Sequence, residues 1–294
     1  MKKLCFALFG NIYQAKKAHA VQKLLCLLEE HDADLLIDEN FYRYLTEDLQ
    51  IDPRPTGLIR GNDFRADIVV SMGGDGTFLE AASRVGDKSI PILGINTGRL
   101  GFLADVTADE IDAAISAIYR DDYQVEERSV LHLTYDTGKP QGYPYALNEI
   151  AVLKRDNSSM ISIRVNIDGE YLTTYQADGL IVNTPTGSTG YALSVGGPIM
   201  SPTSHAIGIV PVAPHSLNIR PITIRDGAMI ELAVESRSHQ ILVSLDGRSE
   251  TCNESVKLHI RKAPYTIRII KRAGCSFFKT LRNKLMWGND LREC

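Results

Sequence analysis

Long apolar runs are missing from this sequence. No stretch approaches the roughly 18 consecutive apolar residues that a membrane-spanning helix requires, so a membrane partner is not expected. The start comes nearest, with Met1-Lys2-Lys3 ahead of the apolar Leu4–Phe9. That run stops at Gly10-Asn11 without a small-residue cleavage pattern, and it reads as a first buried strand rather than a leader. Cysteine is scarce and scattered. Five residues (Cys5, Cys26, Cys252, Cys275 and Cys294), odd in number and with no CxxC pair, indicate neither a zinc site nor a disulfide framework. Free thiols in a reducing, cytoplasmic compartment are the expectation. Positive charge is not in excess either. Thirty-two Lys and Arg against 36 Asp and Glu leave a formal charge of −4, which argues against a nucleic-acid partner. Internal repeats and low-complexity segments are also absent.

What is present is ample material for a core, with 44% hydrophobic residues in a chain of 294, a length that suits two domains. The first part alternates strand and helix signals. Leu4–Phe9, Asp34–Ile37, Ile68–Val70 and Ile90–Ile95 read as strands. Between and after them, residues 15–30, Phe41–Leu49, Thr77–Arg84 and Asp109–Tyr119 carry helical spacing. Such alternation predicts a parallel sheet wrapped by crossover helices. After about Tyr123 the period changes. Short strands are predicted at Val130–Tyr135, Glu149–Leu153, Ile161–Ile167, Tyr171–Tyr175, Leu180–Val182, Ile207–Val212, Ile222–Ile224, Met229–Val234, Gln240–Leu245 and Val256–Ile260. Ile161, Ile163, Val165 and Ile167 alternate with polar residues, and Asp168-Gly169 is a two-residue hairpin turn. The second part is therefore predicted all-β. Cys275–Leu285 returns to helical spacing, suited to covering the first domain or serving an interface.

The most informative segment is Gly73-Gly74-Asp75-Gly76-Thr77, placed between a buried strand and a helix. Glycines let backbone N–H groups approach a phosphate, and the helix N-terminus adds a partial positive potential. The pattern is neither GxGxxG nor a Gly-Lys-Ser/Thr loop. A carboxylate inside such a turn opposes plain phosphate binding. It suits a divalent cation or the proton of an attacking hydroxyl; the same residues also suit a simple turn in which Asp75 caps the helix.

Gly73–Thr77 resembles the phosphate loop shared by NAD kinases, diacylglycerol and sphingosine kinases and, more distantly, phosphofructokinases. Asn96–Leu103 is similar to the NAD kinase sequence after the next strand. A longer stretch is more specific: Ala177-Asp178-Gly179-Leu180, then Asn183 through Thr186-Gly187-Ser188-Thr189-Gly190-Tyr191-Ala192-Leu193-Ser194 and on to Pro198 resembles the NAD kinase hallmark. Asn148-Glu149 and Pro214–Leu217 extend the resemblance over most of residues 68–247.

The resemblance implies an α/β, Rossmann-like (phosphofructokinase-like) domain over residues 1–124. An all-β sandwich domain over 125–270 and a helical segment over 271–294, returning to the first domain, would follow. It implies transfer of the γ-phosphate of ATP to the 2′-hydroxyl of the adenosine ribose of NAD, with a divalent cation, Mg²⁺, accompanying ATP. Asp75 would be catalytic, accepting or positioning the hydroxyl proton, beside the phosphate cradle of Gly73, Gly74 and Gly76. Asn148 and Glu149 would hold the ribose, Asp178 the nicotinamide end, and Thr186, Thr189, Gly190, Tyr191, Ala192, Leu193 and Ser194 the adenine or phosphate. Asp246 and Arg248 would complete the set, and no protein-held metal site is implied. A homodimer or homotetramer is the implied assembly. Two departures stand out. Gly190 replaces an alanine common in the family, expected only to loosen the backbone, and Gln176 replaces a basic residue. A lipid kinase would need an apolar groove for acyl chains, and a non-catalytic dinucleotide sensor would have no use for Asp75.

Overall fold

The computed structural model describes residues 3–11, 18–98, 101–155, 159–272, 274 and 276–286. Contacts divide the chain into two units, Met1–Glu127 with Ile267–Cys294, and Arg128–Thr266.

The first unit opens with β1 (Cys5–Gly10), α1 (Ala18–Glu30), β2 (Asp34–Asp38), α2 (Glu39–Arg43) and β3 (Gly57–Ile59). It continues with β4 (Ile68–Gly73), α3 (Asp75–Val85), β5 (Ile92–Asn96) and α4 (Ile111–Tyr119). The strands lie parallel in the order β3-β2-β1-β4-β5. Every residue of β4 and β5 is buried, as required of strands covered on both faces. Strand order reverses between β1 and β4, and the crevice at the carboxyl ends of such a pair is where open α/β sheets bind ligands. The loop from β4 into α3, Gly73-Gly74, starts there.

One helix expectation changes in this unit. The helix expected over Phe41–Leu49 is α2, capped by Asp38 Oδ1 on the N–H groups of Asn40 and Phe41, followed by a π-helical turn, Tyr44–Asp48. The expected start of α1 at residues 15–17 lies outside the described residues.

The second unit contains β6 (Gln124–Tyr135, which begins ahead of it), β7 (Tyr145–Ala146), β8 (Glu149–Lys154), β9 (Ile161–Ile167), β10 (Glu170–Ala177) and β11 (Gly179–Asn183). The short α5 (Tyr191–Ser194) is followed by β12 (Ala206–Val212), β13 (Ile222–Arg225), β14 (Ile230–Glu235), β15 (Gln240–Leu245) and β16 (Arg248–Asn253). The long β17 (Leu258–Lys271) carries the chain back to the first unit. One antiparallel sheet runs β13-β12-β11-β8-β15-β16, and β10, β9, β14 and the start of β17 form another. Ile150, Val152, Leu180 and Val182 from the first sheet share a core with Ile163, Val165, Ile230 and Ile260 from the second, which makes the unit a sandwich. Hairpin turns at Asp168-Gly169 and Asp246-Gly247 take positive φ at both residues (52° and 83°; 48° and 82°), the geometry that matches strand twist.

The last helix, α6 (Phe277–Leu285), buries Leu281 and sets the Phe277 ring 6.4 Å from that of Phe102, both in the first unit.

Candidate active site

Helix α3 begins without a side-chain cap, because its N-cap is Gly74. The N–H groups of its first turn have no intrahelical acceptors, and Gly74 and Gly76 are exposed. A Cβ added at either glycine would meet nothing within 4 Å. The room above the loop is thus the room an anion needs. Gly73 has a different reason to be glycine, since a Cβ there would lie 2.2 Å from Thr77 Oγ1.

Asp75 does not cap α3. Its carboxylate is wrapped by the turn Gly101–Ala104: Oδ2 accepts from Phe102 N–H (2.9 Å), and Oδ1 from Leu103 and Ala104 N–H (3.0 and 3.2 Å). Oδ2 also receives the Lys284 ammonium of α6 at 3.4 Å. With about four lone-pair sites on a carboxylate, Oδ1 is filled by backbone donors, and the one exchangeable position is that held by Lys284. The turn is itself anchored, as Asn96 Nδ2 donates to Ala104 O. A Cβ on Gly101 would lie 2.1 Å from Asp75 Oδ1. Gly101→Ala is therefore expected to displace the carboxylate, costing about 1–3 kcal/mol of stability as overpacking does and lowering turnover. A thermal melt and a turnover assay of the variant would check both. Arg99 and Leu100, in the same motif, lie outside the described residues.

Asn148 and Glu149 form a second cluster, in the sandwich unit. Asn148 Oδ1 and Glu149 Oε2 are buried with no hydrogen-bond partner among the described residues. Buried acceptors without donors are costly, and such a pair suits a ligand that brings hydroxyl groups. The segment is held from behind by Asp246, whose carboxylate accepts from Leu147, Asn148 and Glu149 N–H (2.7, 2.8 and 3.1 Å). Burial pushes the Glu149 carboxyl up to about 7, the Asp246 charge adds to the rise, and a hydrogen bond from Tyr191 N–H opposes it. Burial likewise raises Asp246, against the pull of its three N–H donors. Gly190 matters more than looser backbone would suggest. A Cβ there would lie 2.9 Å from Glu149 Oε2, so glycine leaves that oxygen uncovered.

The segment before α5 is fastened to the same place. Thr184 Oγ1 donates to Leu147 O (2.6 Å) and accepts from Gly187 N–H, while Ser188 Oγ donates to Pro185 O and accepts from Met200 N–H. A Cβ on Gly187 would strike Asn148 O at 2.1 Å. Thr189 and Ser194 spend their hydroxyl protons on Thr186 O and Tyr191 O, and Thr186 Oγ1 accepts from buried Arg128 at 3.5 Å. Tyr191 is exposed, Leu193 half-buried and Ala192 buried.

Two expected residues are engaged by other protein groups. Asp178 pairs with Lys154 Nζ at 2.7 Å, at the other end of β11 from Asn183, which is registered with Glu149. Five residues of strand, roughly 16 Å, separate the two. Arg248 donates to Tyr143 O and Tyr145 O (2.9 and 2.6 Å) and lies over the Tyr143 ring. Residue patterns assigned no site role to Thr184 or Gly101, although both lie in or beside the motifs, and did not single out Lys284. Nor did they find Thr97, whose Oγ1 is buried without a partner among the described residues, with its N–H on Gly73 O. Only the run of hydroxyl and glycine residues from Thr184 to Gly190 hinted at such fastening. Among the described residues, no group of three or more His, Cys, Asp or Glu is placed to hold a metal ion.

Residues 7–123 match the family model for the ATP-NAD kinase N-terminal domain, and residues 147–272 that for the C-terminal domain. The chain is 59% identical to the NAD kinase of Bacteroides fragilis over 287 residues, covering 98% of this chain and 99% of the relative. With the NAD kinase of Porphyromonas gingivalis it shares 43% over 292 residues, covering 99% and 100%. Among solved structures, it is similar to an NAD kinase from Archaeoglobus fulgidus in complex with ATP (TM-score 0.73, 25% identity, covering 96% and 98%). The fold is also that of yeast NADH kinase complexed with NADH (TM-score 0.89, 23% identity, covering 100% and 91%). A Gly-rich strand-to-helix loop with a clamped aspartate and a sandwich bearing Asn148-Glu149 are thus joined to near-full-length identity, and the chain belongs to the NAD kinase family, enzymes that phosphorylate NAD with ATP.

Proposed function

We propose that the open glycine turn Gly73–Gly76 cradles the phosphates of ATP, and that Asp75 acts on the 2′-hydroxyl of the adenosine ribose of NAD. The observation that carries the reading is the pair of buried acceptors, Asn148 Oδ1 and Glu149 Oε2, that have no partner among the described residues, because vicinal hydroxyls are the donors that satisfy two such atoms together. In the transfer, the 2′-oxygen forms a bond to the γ-phosphorus as the bond to the β-phosphate oxygen breaks. ADP leaves with that electron pair, and the hydroxyl proton passes to Asp75 Oδ2. Orientation and charge placement supply most of the acceleration in phosphoryl transfer.

The divalent cation, Mg²⁺ in this reading, arrives with ATP and offsets phosphate charge. Protein sites for Mg²⁺ commonly offer only one or two carboxylates beside substrate phosphates. Removal of divalent cations with a chelator is expected to abolish turnover, and Mg²⁺ to restore it. Tyr191 and the residues Thr186, Thr189, Gly190 and Ala192–Ser194 surround the adenosine. Asp246 serves by holding the Asn148-Glu149 backbone, and Arg248 by holding the Tyr143–Tyr145 segment beside it. Asp178 meets the nicotinamide end, its distance from Glu149 suiting an extended dinucleotide or a neighbouring copy in a homodimer or homotetramer. Unpaired thiols at Cys5, Cys26 and Cys252 accord with a cytoplasmic enzyme, and no described helix is long and apolar enough to cross a membrane.

One assay tests the whole reading: protein, ATP, Mg²⁺ and NAD are incubated, and NADP is detected with an NADP-specific dehydrogenase. No NADP at saturating substrates would reject it.

A further inference from the structure

Lys284 belongs to neither matched domain, since the family models end at residue 272. Yet α6 delivers its ammonium to the aspartate of the glycine loop. The side chain is 30% exposed and reaches Asp75 Oδ2 at 3.4 Å across 209 residues of sequence. Its position is set from two sides. The ammonium lies 4.4 Å from the Phe102 ring centroid, a cation–π distance. Phe277, one helix turn and more before it on α6, packs on the same Phe102 ring, and Leu281 is buried between them in sequence. Phe102 is also the residue whose N–H fills the other position on Oδ2. One aromatic residue therefore registers both donors on the oxygen.

We propose that Lys284 is a positioning residue for phosphoryl transfer, holding Asp75 Oδ2 and moving to the ATP phosphates when they enter the loop. The proposal rests on the assignment of Asp75 and the glycine turn made above. An anion entering at the N-terminus of α3 meets the Asp75 carboxylate, and without a neighbouring cation that like charge opposes it. Lys284 is the cation within contact of this carboxylate among the described residues. Its departure toward phosphate uncovers the single position on Asp75 that backbone donors do not fill, which is where a hydroxyl could donate. ATP binding and exposure of the carboxylate are thereby one event. The ammonium is suited to the exchange because it is a compact point charge on a flexible stem, without the fixed fork of a guanidinium.

The test compares Lys284→Met and Lys284→Arg with the parent chain. KM for Mg²⁺-ATP and kcat are measured at saturating NAD, and the NAD dissociation constant by calorimetry without ATP. Loss of one charge-assisted contact predicts a rise in the ATP KM of about tenfold in Lys284→Met, a lower kcat, and an unchanged NAD dissociation constant. Lys284→Arg restores the ATP KM to within about threefold, because the charge is kept. The ATP KM of Lys284→Met is also expected to respond less to added salt than that of the parent. An unaltered ATP KM in Lys284→Met would overturn the proposal. So would faster turnover, which would make the contact a restraint rather than an aid, or equal damage in Lys284→Arg with weakened NAD binding, which would make Lys284 a structural prop. If the parent chain itself forms no NADP, the fault lies with the assignment of the glycine turn and Asp75.

Discussion

Asp75→Asn is expected to lower kcat by about 10²–10⁴-fold, the range for losing a proton acceptor in the transition state, while NAD still binds. The structure adds a reason for the upper part of this range. Both carboxylate oxygens accept backbone N–H groups from Phe102, Leu103 and Ala104. An amide offers one oxygen and an NH₂, so at least one backbone N–H must face another donor, and the turn as well as the chemistry is disturbed. Steady-state kinetics with a calorimetric NAD titration separates the effects: turnover should collapse with the dissociation constant within about threefold of the parent. Turnover near that of the parent would remove Asp75 from the mechanism.

NAD affinity is expected to depend on pH through Glu149, whose carboxyl is pushed up to about 7 by burial and by Asp246. If the ionised form accepts the ribose hydroxyls, each pH unit below about 7 leaves a tenth of the chains competent and weakens the apparent affinity about tenfold. Above about 8 the affinity should level off. The sign for stability is opposite. The folded chain binds this proton more tightly than the unfolded one, so the associated stability is fully present below the unfolded carboxyl value and is lost as pH rises through about 7. The enzyme therefore gives up some stability across the window in which it gains ligand. Glu149→Gln should flatten the affinity profile. It should also narrow the preference for NAD over NADP, because a carboxylate near the 2′ position repels the product phosphate. Asp246→Asn removes one charge and should move the midpoint of the profile downward, and its NH₂ must also face a backbone N–H that Asp246 now accepts, so a loss of stability is expected beside the shift. Calorimetry between pH 5.5 and 8.5, conditions chosen on the scale of this shift, would measure all three. A profile unchanged by Glu149→Gln would show that another group titrates.

Much of the molecule was legible from residue order. The continuous apolar runs at Leu4–Phe9 and Ile68–Val70 became the buried parallel strands β1 and β4, because strands covered on both faces cannot alternate. Asp168-Gly169 became a tight hairpin turn. What escaped were elements whose stability comes from neighbours. Strand β16 (Arg248–Asn253) is an edge strand whose residues are exposed or half-buried, so it carries no apolar signal. Strand β17 runs from Leu258 to Lys271 without a break at Pro264, although proline normally argues against a strand interior. The site was read unevenly for a similar reason. Glycine and carboxylate types at Gly73–Gly76 and Asn148-Glu149 announce chemistry locally. The clamp of Asp75 by a turn some 27 residues away, the support of Glu149 by Asp246, and the reach of Lys284 are tertiary facts. Asp246 was expected at the ligand; its oxygens accept the Leu147, Asn148 and Glu149 N–H groups, so in the proposed site it supports the Asn148-Glu149 segment.

The return of β17 to the first unit has a consequence for how the polypeptide is made. Ile269 pairs with Ile92 of β5, and Lys271 and Arg272 bridge to Asp105 and Glu110, so the parallel sheet obtains its last partner only after the whole sandwich has been synthesised. On a ribosome the N-terminal portion would emerge with β5 bridged at Ile95 by Val106 but open around Ile92, an edge of the kind that recruits foreign strands. A release fragment ending near Glu127 would then be a poor folder, prone to aggregate, even though it contains the entire glycine loop. The residues that close the sheet, and the lysine that meets Asp75, are thus both made only after the sandwich unit.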